Sequence, residues 1–199
     1  MRAVRAAVAA GYDAPIRSQA ALFETVLDTL PDAIVVGDST RPVYAGNLVF
    51  EAAAPRSWFN SSTGYGTLGY GLPAAIGARL VSGNRPVICL IGDGGLQFTL
   101  PELASAVEAA VPVIVLLWNN SGYAEIKRYM VDRDIEPIGV DIYTPDFLTL
   151  ARGFGCCAAS ANTPGQLANE LKQAAGRRVP TLIEIDERTW FDQVSGDPA

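Results

Sequence analysis

The sequence predicts an α/β domain built on an open, mostly parallel sheet with helices on both faces. Three observations lead there. Residues 33–36, 87–91 and 111–118 are short apolar runs rich in Val and Ile, without polar alternation. Strands of that kind are buried on both faces, as parallel sheets require. Amphipathic or Ala-rich stretches alternate with them, and strand–helix alternation implies right-handed crossovers. Finally, each run ends in a segment of small or amide-bearing residues, the composition of a strand-to-helix turn.

The elements follow in order. Residues 17–30 carry Leu22, Val26, Leu27 and Leu30 along one side and predict a helix, which Pro31 and Asp32 stop. A buried strand follows at 33–36. Residues 70–82, rich in Ala and Leu, predict a second helix, and residues 87–91 a strand ending at Gly92. Residues 100–110 predict a helix with Pro101 near its start, where a missing N–H costs little. The strand at 111–118 is interrupted only by Pro112. A loop then leads to a helix around 123–130. Pro145 and Asp146 open a helix over 145–153. Residues 156–159 read as a short strand, 164–176 as a helix and 180–185 as a last strand. This organisation predicts one domain over residues 17–187. It is preceded by a linker or frayed segment at 1–16 and followed by a C-terminal tail at 188–199, disordered from Ser195 to Ala199.

Composition narrows the function. The chain has 199 residues, 49% hydrophobic and 18% charged, enough apolar matter for a sizeable core. Its net charge of -6 argues against nucleic acid, whose phosphates need clustered Lys and Arg. No apolar stretch reaches the roughly 18 residues needed to span a membrane. There is no histidine, which excludes imidazole acid–base chemistry and His–metal ligation within this chain. The cysteines, Cys89, Cys156 and Cys157, are odd in number and lack metal-site spacing. They read as structural thiols of a cytoplasmic protein.

In open parallel sheets, ligands bind beyond the carboxyl ends of the strands. Three segments fall there: Gly37-Asp38-Ser39-Thr40, Gly92-Asp93-Gly94-Gly95, and Asn119-Asn120-Ser121-Gly122-Tyr123. Glycines let backbone N–H groups approach an anion, and a following helix favours negative charge at its N-terminus. Asp93 alone would repel a phosphate; Mg²⁺ between the two removes the conflict. Mg²⁺ takes about six oxygens and few of them from protein. Asp93, the Asn120 amide oxygen and the Gly122 carbonyl can supply three, two diphosphate oxygens and a water the rest. Taken singly, Gly-Asp-Gly-Gly and Asn-Asn also read as ordinary turns. Their conjunction at strand ends favours the metal reading.

Gly-Asp-Gly followed by Asn-Asn, with Asn120 27 positions after Asp93, resembles the thiamine-diphosphate motif. The segment from Ser62 to Ala78, containing Gly64-Tyr65-Gly66-Thr67-Leu68-Gly69-Tyr70-Gly71, is similar to the pyrimidine-contacting segment of the acetolactate synthase and 2-oxo-acid decarboxylase superfamily. Pro145-Asp146-Phe147 with Leu150-Ala151 and Gly155 resembles a later helix of that family. The likeness covers residues 20–187 and implies its C-terminal, cofactor-binding domain. By this resemblance Asp93, Asn120 and the Gly122 carbonyl correspond to Mg²⁺ ligands. Ser39, Thr40, Gly92, Gly94, Gly95, Tyr123 and Ala124 correspond to the diphosphate cradle, and the Gly66 carbonyl to the acceptor for the cofactor's 4′-amino group. Leu68 corresponds to the bulky residue that props the cofactor into a V shape; outside this motif it would read as an ordinary core leucine.

The resemblance also implies partners. The glutamate that protonates the cofactor's pyrimidine belongs to a separate domain, of the same or a second subunit, and no such unit precedes residue 20. A homo-oligomer, dimer or tetramer, is therefore expected, and a chain nearly inactive alone. Gly37-Asp38-Ser39-Thr40 departs from the Gly-Gln-His-Gln-like stretch of acetolactate synthases and looks more like benzoylformate-type decarboxylases. Glu125 follows the metal loop, where a carboxylate suits a cationic 2-oxo acid such as 2-ketoarginine; as a helix-start acid it is also favoured by the dipole alone. Two further readings stay open. One is a non-catalytic cofactor-binding or regulatory module of the same fold. The other is a dinucleotide-binding domain, against which stands the lack of a Gly-x-Gly-x-x-Gly turn at the first strand.

Overall fold

The computed structural model describes residues 7–196. Six strands form one sheet: β1 (Ile34–Gly37), β2 (Trp58–Asn60), β3 (Val87–Gly92), β4 (Ile114–Asn119), β5 (Cys157–Ser160) and β6 (Thr181–Asp186). Their order is β2-β1-β3-β4-β6-β5, and every pairing is parallel. The sheet is thus wholly parallel where a mostly parallel one was expected. The central strands β1, β3 and β4 are buried almost throughout, which accounts for their unbroken apolar sequences.

Helices cover both faces. On one lie α1 (Ala14–Thr29), α2 (Arg41–Val49), α8 (Pro164–Ala175) and α9 (Glu187–Ser195). Their Leu22, Phe23, Val43, Leu167, Leu171 and Trp190 pack on Val35, Ile88, Leu90, Leu116 and Ile183. On the other lie α3 (Gly71–Val81), α4 (Asp93–Phe98), α5 (Glu102–Glu108) and α7 (Phe147–Gly153). There Leu72, Leu96, Leu103 and Phe147 pack on Val36, Cys89, Ile91, Val115 and Leu117. Side chains alternate along each strand, so neighbours such as Leu90 and Ile91 serve opposite cores. Helix α6 (Ala124–Val131) buries no residue and rides on the surface beside the Asn-Asn loop.

Caps explain several boundaries. Asp13 accepts the Ile16 N–H at 2.9 Å, and Pro15 occupies the first turn, so α1 begins at Ala14 rather than 17. The frayed segment expected over 1–16 therefore ends earlier, and residues 1–6 of it lie outside the described residues. Asp146 caps α7 through the Thr149 N–H and hydroxyl. β4 starts at Ile114 rather than 111 because Pro112 has no N–H and Val113 turns back to Val111.

Two elements escaped the pattern of the sequence. Helix α2 contains Pro42 and Gly46 within nine residues, which masks its periodicity. Pro42 sits harmlessly in the first turn. Gly46 is needed because a β-carbon there would meet Phe23 and Trp58 at 2.6 Å. β2 is a three-residue edge strand, too short to signal itself.

The expected tail at 188–199 is corrected. Helix α9 occupies Glu187–Ser195 and buries Trp190 completely, with its indole N–H donating to the Ser18 carbonyl at 2.9 Å. Asp186 caps it by accepting the Thr189 N–H at 2.7 Å, and Gly196 ends it in the left-handed conformation. Of the segment expected to be disordered, Ser195 closes this helix and residues 197–199 lie outside the described residues. The three cysteines are free. Burial raises the Cys156 thiol to about 11 and Cys89 well above its ordinary value, so neither is a thiolate nucleophile.

Candidate functional site

The chain leaves β1 for β2 on one side and places β3 on the other. The carboxyl ends of β1 and β3 therefore border the topological switch point, where parallel sheets open a crevice. Gly37 pairs with Leu90, Gly92 with Trp118 and Asn119 with Asp186. This register sets the three predicted segments side by side along one sheet edge. It adds a fourth, Asp186-Glu187 at the end of β6, which sequence reasoning did not include.

Asp93 is the first residue of the six-residue helix α4 and is buried. Its Oδ1 lies 3.5 Å from the Asn120 N–H. Burial raises its carboxyl above the ordinary value, opposed by backbone N–H groups of Asn120, Asp93, Gly94 and Gly122. Next to it the Asn-Asn pair divides its work. Asn119 builds the turn: its Oδ1 accepts the Ser121 N–H at 3.0 Å, and its amide donates to Glu184 at 2.7 Å. Ser121 is held in the left-handed region at φ 59°. The Tyr123 N–H bonds the Val140 carbonyl at 2.9 Å and pins the loop. The Asn120 side chain takes no part in the turn and lines the crevice.

Asp93 Oδ2 and Asn120 Oδ1 are buried and have no hydrogen-bond partner. Leaving a buried acceptor unpaired costs about 1–3 kcal/mol. Two such oxygens on adjacent strand ends, one anionic and one neutral, are the donor set of a hard cation. The residues fit Mg²⁺. Among the described residues no group of three or more His, Cys, Asp or Glu is placed to hold a metal ion.

A cavity of about 230 Å³ adjoins these oxygens. It is lined by the sequence-predicted Ser39, Thr40, Gly66, Leu68, Gly92, Gly94, Gly95, Asn120, Gly122, Tyr123, Ala124 and Glu125; Asp93 lies buried beside it. Glycine is needed at three of these positions by contact alone: at Gly122 a β-carbon would meet the Val140 carbonyl oxygen at 2.8 Å. A β-carbon at Gly94 would meet the Tyr123 ring at 2.4 Å, and one at Gly95 would meet Asp38 Oδ1 at 2.8 Å. The Ser39 hydroxyl donates to the Gly66 carbonyl at 2.8 Å, so that carbonyl keeps one lone pair for a further donor. Asp38 ties the parts together. Its carboxylate accepts the Ser39 N–H at 2.8 Å and the Gly71 N–H at 2.7 Å, joining the end of β1 to the loop that carries Gly66 and Leu68.

Glu125 lies at the rim, half-buried, but its carboxylate is already engaged. Oε1 accepts Arg41 Nε at 2.5 Å and Oε2 accepts Arg128 at 2.7 Å. Arg41 also donates to Glu187 at 2.5 Å. Burial works against its charge, but the two carboxylates outweigh that and hold the guanidinium above its ordinary value. Neither Arg41 nor Glu187 was singled out by sequence reasoning. A cap-type Asp186 followed by Trp190 and Val194 four residues apart was the available signal for α9. Beyond Arg41 a second cleft of about 830 Å³ opens between α1, α2 and α9; Arg41, Tyr44, Asn120 and Glu125 line both spaces.

A cavity with two unpartnered buried oxygens beside it, set at the switch point of a parallel sheet, defines a ligand-binding α/β domain. Comparison with known proteins says which one. The family described as thiamine pyrophosphate enzyme, C-terminal TPP binding domain, matches residues 36–185, and the chain belongs to it. The chain is 43% identical over 185 residues to a probable 2-ketoarginine decarboxylase of Pseudomonas aeruginosa, covering 92% of this chain and 33% of that protein. It is 36% identical to the benzoylformate decarboxylase of the same organism, covering 83% and 32%. The solved 4-hydroxybenzoylformate decarboxylase of Rhodococcus jostii superposes with a TM-score of 0.76 at 34% identity, covering 84% of this chain and 32% of that one. The chain thus spans about a third of the length of the relatives it matches.

Proposed function

We propose that this chain is the cofactor-binding part of a thiamine-diphosphate-dependent 2-oxo-acid decarboxylase or acetolactate-synthase-like carboligase. The observation that carries the reading is the pair of unpartnered buried oxygens, Asp93 Oδ2 and Asn120 Oδ1, at the ends of the adjacent strands β3 and β4. They would hold Mg²⁺ together with the Gly122 carbonyl, and the ion would hold the diphosphate. When bound, thiamine diphosphate supplies the electron sink for loss of CO₂ from a 2-oxo acid.

The chain's own residues bind, orient and shield. Gly94, Gly95 and Ala124 would offer backbone N–H groups to the diphosphate, the Tyr123 N–H being held by Val140. Leu68 would support the bend of the cofactor, and the Gly66 carbonyl would accept from its amino group. The pyrimidine end requires a second domain, and the face around it suits one: Tyr65 is fully exposed and Tyr70 more than a third exposed. A pyrimidine-binding domain of the same or a second subunit would cover it in a homo-oligomer. Three free thiols suit the cytoplasm.

The substrate reading is a cationic 2-oxo acid such as 2-ketoarginine. It is supported by the 43% identical relative of that activity and by Glu125 at the cavity rim. A substrate guanidinium would take the place of Arg128, the more exposed of the two partners of Glu125. A non-catalytic module of the same fold is the second reading; the intact metal oxygens and Leu68 favour the enzyme.

Titration calorimetry of the full-length protein, stripped of cofactor, with thiamine diphosphate tests the proposal. Binding is expected only with Mg²⁺ present, and Asp93→Ala is expected to abolish it by removing the only carboxylate of the shell. Equal affinity without Mg²⁺, or in the variant, sinks the metal assignment.

A further inference from the structure

A side-chain amide has a donor end and an acceptor end, and only the acceptor end ligates a cation. Asn120 can serve a metal only if something fixes which end faces it. Its Nδ2 donates to Glu187 Oε2 at 3.0 Å, which leaves Oδ1, like Asp93 Oδ2 at the neighbouring strand end, buried and unpaired. The same Oε2 accepts the Trp118 indole N–H at 2.5 Å, and Oε1 accepts Arg41 Nη1 at 2.5 Å. Glu187 therefore gathers donors from β4, from the Asn-Asn loop and from α2.

Glu187 is itself firmly placed. It opens α9 directly after β6, whose Asp186 pairs with Asn119 and caps the helix. Three residues on, Trp190 is fully buried against α1. Trp118, which shares the carboxylate, is also buried and lies edge-on to Trp190 with ring centres 6.5 Å apart. This packing fixes the backbone from which the Glu187 carboxylate reaches its three donors.

We propose that Glu187 is a positioning residue for the metal: it holds the Asn120 amide with its oxygen toward the ion, while Arg41 balances the carboxylate's charge. This rests on the thiamine-diphosphate reading. Outer contacts that orient a metal ligand change metal affinity by about ten- to a hundredfold when removed.

The test uses Mn²⁺ as the probe, its free concentration read by electron paramagnetic resonance on holoenzyme with thiamine diphosphate. Glu187→Ala is expected to raise the Kd for Mn²⁺ about tenfold or more. Glu187→Gln keeps an oxygen for Asn120 and Trp118 and loses only the ion pair with Arg41, so most of the affinity should return. In an Asn120→Asp background, a carboxylate with two equivalent oxygens needs no orienting. There Glu187→Ala should leave the Kd unchanged or lower it by removing a like charge. Equal losses from Glu187→Ala in both backgrounds, or a Glu187→Gln variant as weak as Glu187→Ala, overturn the proposal in favour of a structural role. If Asn120→Asp binds no metal, the Gln comparison decides. A wild-type protein without cofactor-dependent Mn²⁺ binding overturns the cofactor reading itself.

Discussion

Gly94 lies face to face with Tyr123: a β-carbon on the glycine would stand 2.4 Å from the tyrosine's Cε1. The contact joins the helix that starts at Asp93 to the loop that carries Asn120. The spacing of the Asp93 and Asn120 oxygens thus depends on a side chain that is absent.

Gly94→Ala should therefore push Tyr123 and the 120–124 loop outward. Affinity for Mg²⁺ and thiamine diphosphate should fall at least about tenfold, the scale of a disturbed ligand shell. Gly153→Ala meets nothing within 4 Å and should bind normally. Calorimetry on both holoenzyme variants checks this; equal affinity in Gly94→Ala would mean that the loop adapts.

Asp38 makes a pH signature. Burial raises its carboxyl above the ordinary 3.8, against the pull of N–H groups from Gly71, Ser39 and Gly69. A folded value above the unfolded one means that the fold holds the proton more tightly. Its contribution to stability is fully present below the unfolded value and is lost as pH rises through the folded one. The stability advantage of wild type over Asp38→Asn should therefore shrink as pH rises from below 4 toward neutrality. Urea midpoints across that range measure it, and an advantage that grows would reverse the assignment.

Trp190→Ala should destabilise the domain by about 3–5 kcal/mol, since a fully buried indole leaves a cavity. It also leaves the Ser18 carbonyl without its donor. Chemical denaturation reads the loss. A change under about 1 kcal/mol would make α9 an appendage rather than part of the core.

Glu125→Gln should lower kcat/KM for a cationic 2-oxo acid and spare pyruvate. A hydrogen bond to a charged group is worth about 1.5–3 kcal/mol, roughly a ten- to hundredfold preference. Both substrates must be measured on both proteins. If the ratio of the two kcat/KM values does not move, Glu125 serves only Arg41 and Arg128, and the substrate is pyruvate or an apolar 2-oxo acid.

The sequence alone determined the parallel sheet, where its main strands lie along the chain, and the candidate oxygens of the site. Val87–Gly92 and Ile114–Asn119 are legible because a strand buried on both faces must be apolar throughout. Asp93, Asn120 and the glycines beside them are legible because backbone reach and ligand chemistry act within a few residues. The tertiary structure decided the rest. Helix α2 hides behind Pro42 and Gly46, whose reasons lie in Phe23 and Trp58. Helix α9 has few apolar residues, and its anchor Trp190 finds its partner 172 positions away at Ser18. Glu125 reads as a free carboxylate until Arg41 arrives from 84 positions away. Glu187 orients Asn120 across 67 positions. Local patterns record periodicity and turn chemistry, but which charge meets which amide depends on the sheet register, and that exists only once the strands have paired.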